Sequence, residues 1–215
     1  MTTSHVVRIS ICFVGLSLVT SLALAEEPVN LLANGSFDEG VEGWEGRLVD
    51  RQRDNERIDR PDFVEHIVKE PDDEANGRDE RRGVLQITLE DLGYVNPVAH
   101  QSGVHVRLTE PVPAGARLRI RFDARSLGGS NRLRITRAWG GSSYDRLPEL
   151  TERWQRHEVI LSLDFDTSHL IWSLVEGERG AARNRVAVGR CQIDNVHVSV
   201  IDEDDEHDHE DKGAG

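Results

Sequence analysis

Cysteine is almost missing from this chain, and with it a whole class of small cross-linked folds. Of the two present, Cys12 sits in an apolar leader and Cys191 stands alone in the remainder. No internal disulfide can form once the leader is gone, even in an oxidising compartment. Internal repeats, heptads and sustained 3.6-residue periodicity are lacking too, which argues against solenoids, coiled coils and helical bundles. Motifs of common chemistries are equally scarce. Beyond the leader there is no Gly-x-Ser-x-Gly, no glycine-rich phosphate loop and no Cys-x-x-Cys, and His157-Glu158 is followed by Leu161 where a zinc-protease helix needs a second histidine.

What is present begins with an export signal. Residues 1–25 carry Arg8, an apolar run from Ile9, and an Ala23-Leu24-Ala25 ending, the pattern of a cleavable signal peptide and not of a membrane anchor. The expected localisation is secreted or periplasmic, with no membrane span after cleavage. Residues 26–201 have the length of one domain with a full-sized core. Residues 202–215 form a tail expected to be disordered, because its first eleven positions hold eight acids and one lysine, about half of the chain's net charge of −13. His207 and His209 lie in that run, but a solvated acidic segment holds metals weakly.

Within 26–201 the dominant period is two. In RLRIRFDAR from Arg117, residues Leu118, Ile120, Phe122 and Ala124 alternate with Arg119, Arg121, Asp123 and Arg125. GVLQITL from Gly83, GVHVRL from Gly103, RLRIT from Arg132, HEVILSL from His157, HLIWSL from His169 and QIDNVHVSV from Gln192 read likewise, and FVEHIVKE adds one more strand between charged loops. Turn chemistry separates them at 111–115, 128–131 and 140–143. Short alternating strands with hardly a helix predict an all-β antiparallel sandwich. NLLANGSFDEGVEGW, from Asn30, reads as a short strand broken by turns, since Asn34-Gly35 is a strong turn dipeptide.

That opening, ARLRIRFDARS at 116–126, LTERWQRHEV at 150–159 and CQIDNVHVSV at 191–200 together resemble the family 4-type carbohydrate-binding modules of the galactose-binding domain-like jelly-roll fold. The resemblance spans about residues 29–201. It implies a jelly-roll sandwich, a polysaccharide or glycan as partner, and a structural calcium held by Asp38, after the Asn-Gly-Ser-Phe turn, and Asp194, near the start of the last strand. Both aspartates could equally cap turns. It also implies that Trp44 and Trp154 pack one sheet against the other at the core edge. Trp172 alternates with Leu170 and Leu174 and is expected in the core.

The candidate ligand residues come from charge and aromatic placement. Seven arginines against one acid fill Arg117–Arg137 in an otherwise acidic protein. Arg119, Arg121 and Arg125 share one face of a strand. If Arg134 lies on the outer face of a neighbouring strand, the four make a stripe suited to carboxylate or sulfate; otherwise they pair with acids across strands. Trp139 and Tyr144 flank a glycine-rich turn and are candidate sugar platforms. Nucleic acid is a poor partner for an exported acidic protein. The favoured reading is a non-catalytic carbohydrate-binding module, with an anionic or a plant- or algal-type polysaccharide as its candidate ligand. Two alternatives stay open: an envelope scaffold binding protein, and a jelly-roll lyase or glycosidase, for which His100, His105, Arg137 and Tyr144 would be candidates.

Overall fold

The computed structural model describes residues 28–50, 53–54, 56–68, 83–90, 101–137, 143–144, 148–176 and 185–201. The leader and the acidic tail lie outside this set. The strands are β1 (Trp44–Asp50), β2 (Glu56–Asp59), β3 (Val64–Val68), β4 (Gly83–Leu89), β5 (Gly103–Val112), β6 (Arg117–Gly129), β7 (Leu133–Arg137), β8 (Ser143–Tyr144), β9 (Gln155–Ser162), β10 (Thr167–Glu176), β11 (Arg185–Val186) and β12 (Gly189–Val200). They form two six-stranded antiparallel sheets. Sheet I runs β11-β10-β5-β1-β2, with β7 also paired to β10; sheet II runs β3-β4-β12-β6-β9-β8. From β4 onward the chain keeps changing sheets, II to I to II, as a jelly roll does. Among the described residues no helix is long and apolar enough to cross a membrane.

Period two is what lets one strand serve core and surface together. On β6, Leu118, Ile120, Phe122 and Ala124 are at most 1% exposed, while the intervening residues face outward. Leu170, Trp172 and Leu174 of β10 and Val104, Val106 and Leu108 of β5 make the opposing layer. Each such side chain removed from water contributes on the order of 2 kcal/mol. An aromatic chain joins the layers. Phe37 lies 5.3 Å from Trp44, Trp44 lies 5.6 Å from Trp172, and Trp172 meets Phe122 edge-on at 5.1 Å. Trp44 and Trp172 therefore sit in the core, the first as the resemblance implies and the second as its alternation with Leu170 and Leu174 predicts.

The segment before β1 differs from its sequence reading. Residues 28–43 contain no strand; turns occupy them, and the first strand begins at Trp44. The Leu31 amide donates to the Val198 carbonyl of sheet II at 2.7 Å, and the Leu31 carbonyl accepts from the Thr109 amide of sheet I at 2.9 Å. One residue thus bridges both sheets. Gly35 is needed for the next contact: its carbonyl accepts from the Val196 amide at 2.8 Å, and a Cβ there would lie 2.0 Å from the Val196 oxygen. Gly128 and Gly129, expected in a turn, instead end β6.

Candidate functional site

Sheet II presents three of the four arginines of the sequence stripe. Arg121 donates from Nε to Glu158 Oε2 at 2.7 Å, and Arg119 Nε lies 3.9 Å from Glu158 Oε1. Arg125 donates to Gln192 Oε1 at 2.9 Å, and its guanidinium carbon stands 5.1 Å from the Trp154 ring centroid. The row continues across the sheet: Gln192 donates to Gln86 at 3.2 Å, and Gln86 to Glu65 at 3.0 Å. Register explains it, because Arg125, Gln192, Gln86 and Glu65 are successive cross-strand partners.

Two expectations are corrected here. Trp154 does not pack sheet on sheet: Val159 and Leu161 of β9 point inward, so position 154 falls on the outward parity, where it is half-buried beside Arg125. Arg134 is not beside the other three. β6 pairs with β12 and β9, whereas β7 belongs to sheet I, so adjacency in sequence became opposition in space. Trp139 and His100 lie outside the described residues. Tyr144 is described only as backbone in β8, opposite Leu161.

The outer face of sheet I gathers a second basic group from strands far apart in sequence. Core positions Trp44, Leu48, Val104, Val106, Leu170 and Trp172 leave Glu45, Arg47, His105, Arg107, His169 and Ser173 on the other side. One cross-strand row is Arg47, Gly103, Ser173 and Arg134. With strands about 4.8 Å apart, its two arginines stand about 14 Å from each other. Gly103, at φ 142°, is required between them by close packing, because a Cβ would come within 2.3 Å of the Trp172 oxygen and 2.4 Å of Ser173 Oγ. Arg134 is only 5% exposed although it faces outward.

His105 and His169 occupy the same face. Burial, with lesser contributions from Arg47, Arg57 and His169, pushes His105 down to about 4, against the opposing effect of its Nε2 contact to the Gln101 carbonyl at 3.0 Å. Burial, then Arg107 and Arg47, lower His169, which Glu45 opposes. Both imidazoles are therefore neutral at pH 7 and leave the arginines as the cations of the face. Arg47 is paired with Glu45, and Arg57 lies 3.6 Å from Asp59. Arg107 is exposed and has no ion-pair partner among the described residues. Its signal was legible in GVHVRL, whose outward positions are His105 and Arg107; the denser arginines of 117–137 drew the reading elsewhere.

The proposed calcium ligands lie where the first turn meets the last strand. The Gly35 to Val196 contact, and a 3.1 Å hydrogen bond from Asn30 Nδ2 to the Val196 carbonyl, bring the first turn alongside the last strand. Asp38 is exposed there, and Asp194 is 4% exposed with Oδ1 accepting from the Asn195 amide at 2.7 Å. Among the described residues no three of His, Cys, Asp and Glu gather at one point. Two carboxylates and turn carbonyls are donors of the right kind, although calcium takes about six to eight oxygens.

No protein-family model matches the chain, and no curated protein sequence does. Solved structures similar to it include the enzymatically active domain of bacteriophage CBA120 tailspike protein 4, at 12% identity and TM-score 0.42, covering 80% of this chain and 22% of that one. A CBM4 structure matches at 14% identity and TM-score 0.42 over 77% of this chain and all of its own. A putative sugar-binding protein of Bacteroides thetaiotaomicron matches at 7% identity and TM-score 0.39 over 80% and 99%. This chain thus spans about a fifth of the tailspike domain. Likenesses this distant assign no function.

Proposed function

We propose that the protein is an exported, non-catalytic carbohydrate-binding β-sandwich that takes an anionic polysaccharide on the outer face of sheet I. One observation carries the reading: the exposed Arg107, with no ion-pair partner among the described residues, stands on a face with Arg47 and two neutral histidines against one acid, Glu45, so the face is cationic yet partly dehydrated. Partial dehydration strengthens a guanidinium's attraction for carboxylate or sulfate. The resemblance to family 4-type modules supports a polysaccharide ligand, and the arginines alone support its being anionic. Arg119, Arg121 and Arg125 contribute less than Arg107, being engaged by Glu158 and Gln192 as Arg47 is by Glu45. Trp139 and Tyr144 remain the aromatic candidates, and calcium at Asp38 and Asp194 is proposed to brace the first turn against β12.

The test is a binding panel of uronate and sulfated polymers against neutral glucans and xylans, with Arg107→Ala, Arg47→Ala and Arg121→Ala compared. Loss of anionic binding in Arg107→Ala with little change in Arg121→Ala supports the assignment to sheet I. The reverse pattern moves the site to sheet II. Silence across the panel removes the carbohydrate reading and favours a protein-binding scaffold.

A further inference from the structure

A third cluster stands at the end of the sandwich, apart from both sheet faces. Arg137 ends β7 in sheet I, and the turn Leu163–Asp166 carries the chain from β9 in sheet II to β10 in sheet I. Arg137 is 2% exposed, and its guanidinium carbon lies 4.3 Å from the Phe165 ring centroid. Its Nη2 donates to Asp164 Oδ2 at 3.2 Å. Yet Phe165 is 61% exposed and the Asp164 side chain 59% exposed. A buried cation therefore props an aromatic ring and a carboxylate that both open to solvent.

The turn that carries them is held on several sides. Gly115 donates to the Leu163 carbonyl at 2.7 Å and Leu163 to the Ala116 carbonyl at 3.0 Å. The Ala114 amide donates to Asp166 Oδ1 at 3.0 Å, and Thr167 Oγ1 to the Phe165 carbonyl at 3.1 Å. Ser143 of β8 pairs with Ser162, just before the turn. Part of this fixing seats the buried Leu163 in the core, while the ring of Phe165 stays outside it. The same bonds pre-pay the ordering that a ligand would otherwise have to impose.

A pyranose offers an apolar face of C–H groups and a rim of hydroxyls. The open side of the Phe165 ring suits the first. Asp164, with one oxygen held by Arg137, suits the second, since its other oxygen can accept hydroxyl hydrogens. Its charge disfavours a uronate or sulfated ring at this point. We propose that Phe165 and Asp164, positioned by Arg137, form a subsite for one neutral pyranose ring. This rests on the carbohydrate reading but uses none of the sheet I residues, so the ligand it implies combines acidic units with neutral ones.

The experiment is titration calorimetry of the full chain with gluco-, xylo- and manno-hexaose and, separately, with oligogalacturonate and a sulfated oligosaccharide. Phe165→Ala is expected to weaken neutral-hexaose binding by about tenfold, Asp164→Asn by a smaller factor, and Phe165→Trp to retain or tighten it. Arg107→Ala should leave neutral binding unchanged while weakening the anionic ligands. Because Phe165 is exposed, its two variants should melt close to the parent, whereas Asp164→Asn, which takes the carboxylate from the buried Arg137, should melt lower and is titrated well below its own transition. Unchanged neutral binding in Phe165→Ala, or loss in Phe165→Trp equal to that in Phe165→Ala, overturns the subsite. Binding of the anionic ligands alone overturns it while leaving the sheet I reading intact. No binding of either class overturns both.

Discussion

Phe122 of β6 and Trp172 of β10 meet edge-on with their ring centroids 5.1 Å apart, a contact between two buried rings that joins the two sheets. Trp172 is fully buried, and its indole N–H has no hydrogen-bond partner among the described residues. Trp172→Ala should cost about 3–5 kcal/mol through the cavity left behind. Trp172→Phe should cost less than half of that, because it removes the orphaned donor together with the volume. Urea unfolding of the two variants decides this; equal losses would mean that the indole N–H is satisfied.

Acid should weaken the fold through His105. Its folded value of about 4 lies below the ordinary 6.5, so the unfolded chain binds more protons between those limits. Stability contributed by the neutral imidazole is whole above pH 6.5, falls as the pH drops, and levels off below about 4. The difference is on the order of 3 kcal/mol. His105→Gln should flatten the slope of unfolding free energy against pH over this window. A slope unaltered by the substitution would assign the acid sensitivity to other groups.

Gly103→Ala should destabilise by at least about 2 kcal/mol. The new methyl would lie 2.3 Å from the Trp172 oxygen, at a backbone φ of 142° that side chains rarely adopt. Thermal melting provides the readout. The same substitution at Gly115, which has nothing within 4 Å of its Cβ position, isolates the backbone contribution from the clash.

Calcium at the first turn should raise the melting temperature in millimolar calcium relative to chelator, by a few degrees if the ion binds the folded chain alone. Asp194→Asn and Asp38→Ala should each abolish that increment. Identical melting in calcium and in chelator would leave the aspartates as turn residues only.

The strands were legible because alternation survives even where charges crowd, as in RLRIRFDAR. Their distribution between sheets was not. A jelly roll sends neighbours in sequence to opposite layers, so the arginines of β6 and β7 separated. Trp154 shows the same limit from the other side. Its turn and following strand were correctly read, but only counting parity back from Val159 and Leu161 puts it outside. The basic face of sheet I is assembled from β1, β5, β7 and β10, whose registers no local pattern specifies. Arg137 and Phe165 lie 28 positions apart, and nothing in either segment announces that one will lie beneath the other.

The two ends of the described sandwich leave it side by side. Pro28 accepts through its carbonyl from His197 at 3.0 Å, and Leu31 is hydrogen-bonded to Val198, with the two segments antiparallel. A load drawn between residue 28 and residue 201 would therefore open these bonds one after another, like a zip, instead of straining them together in shear. Anchored at both ends to something that moves, the protein would yield at this seam first, and Leu31, the residue that ties both sheets, would be among the earliest to let go.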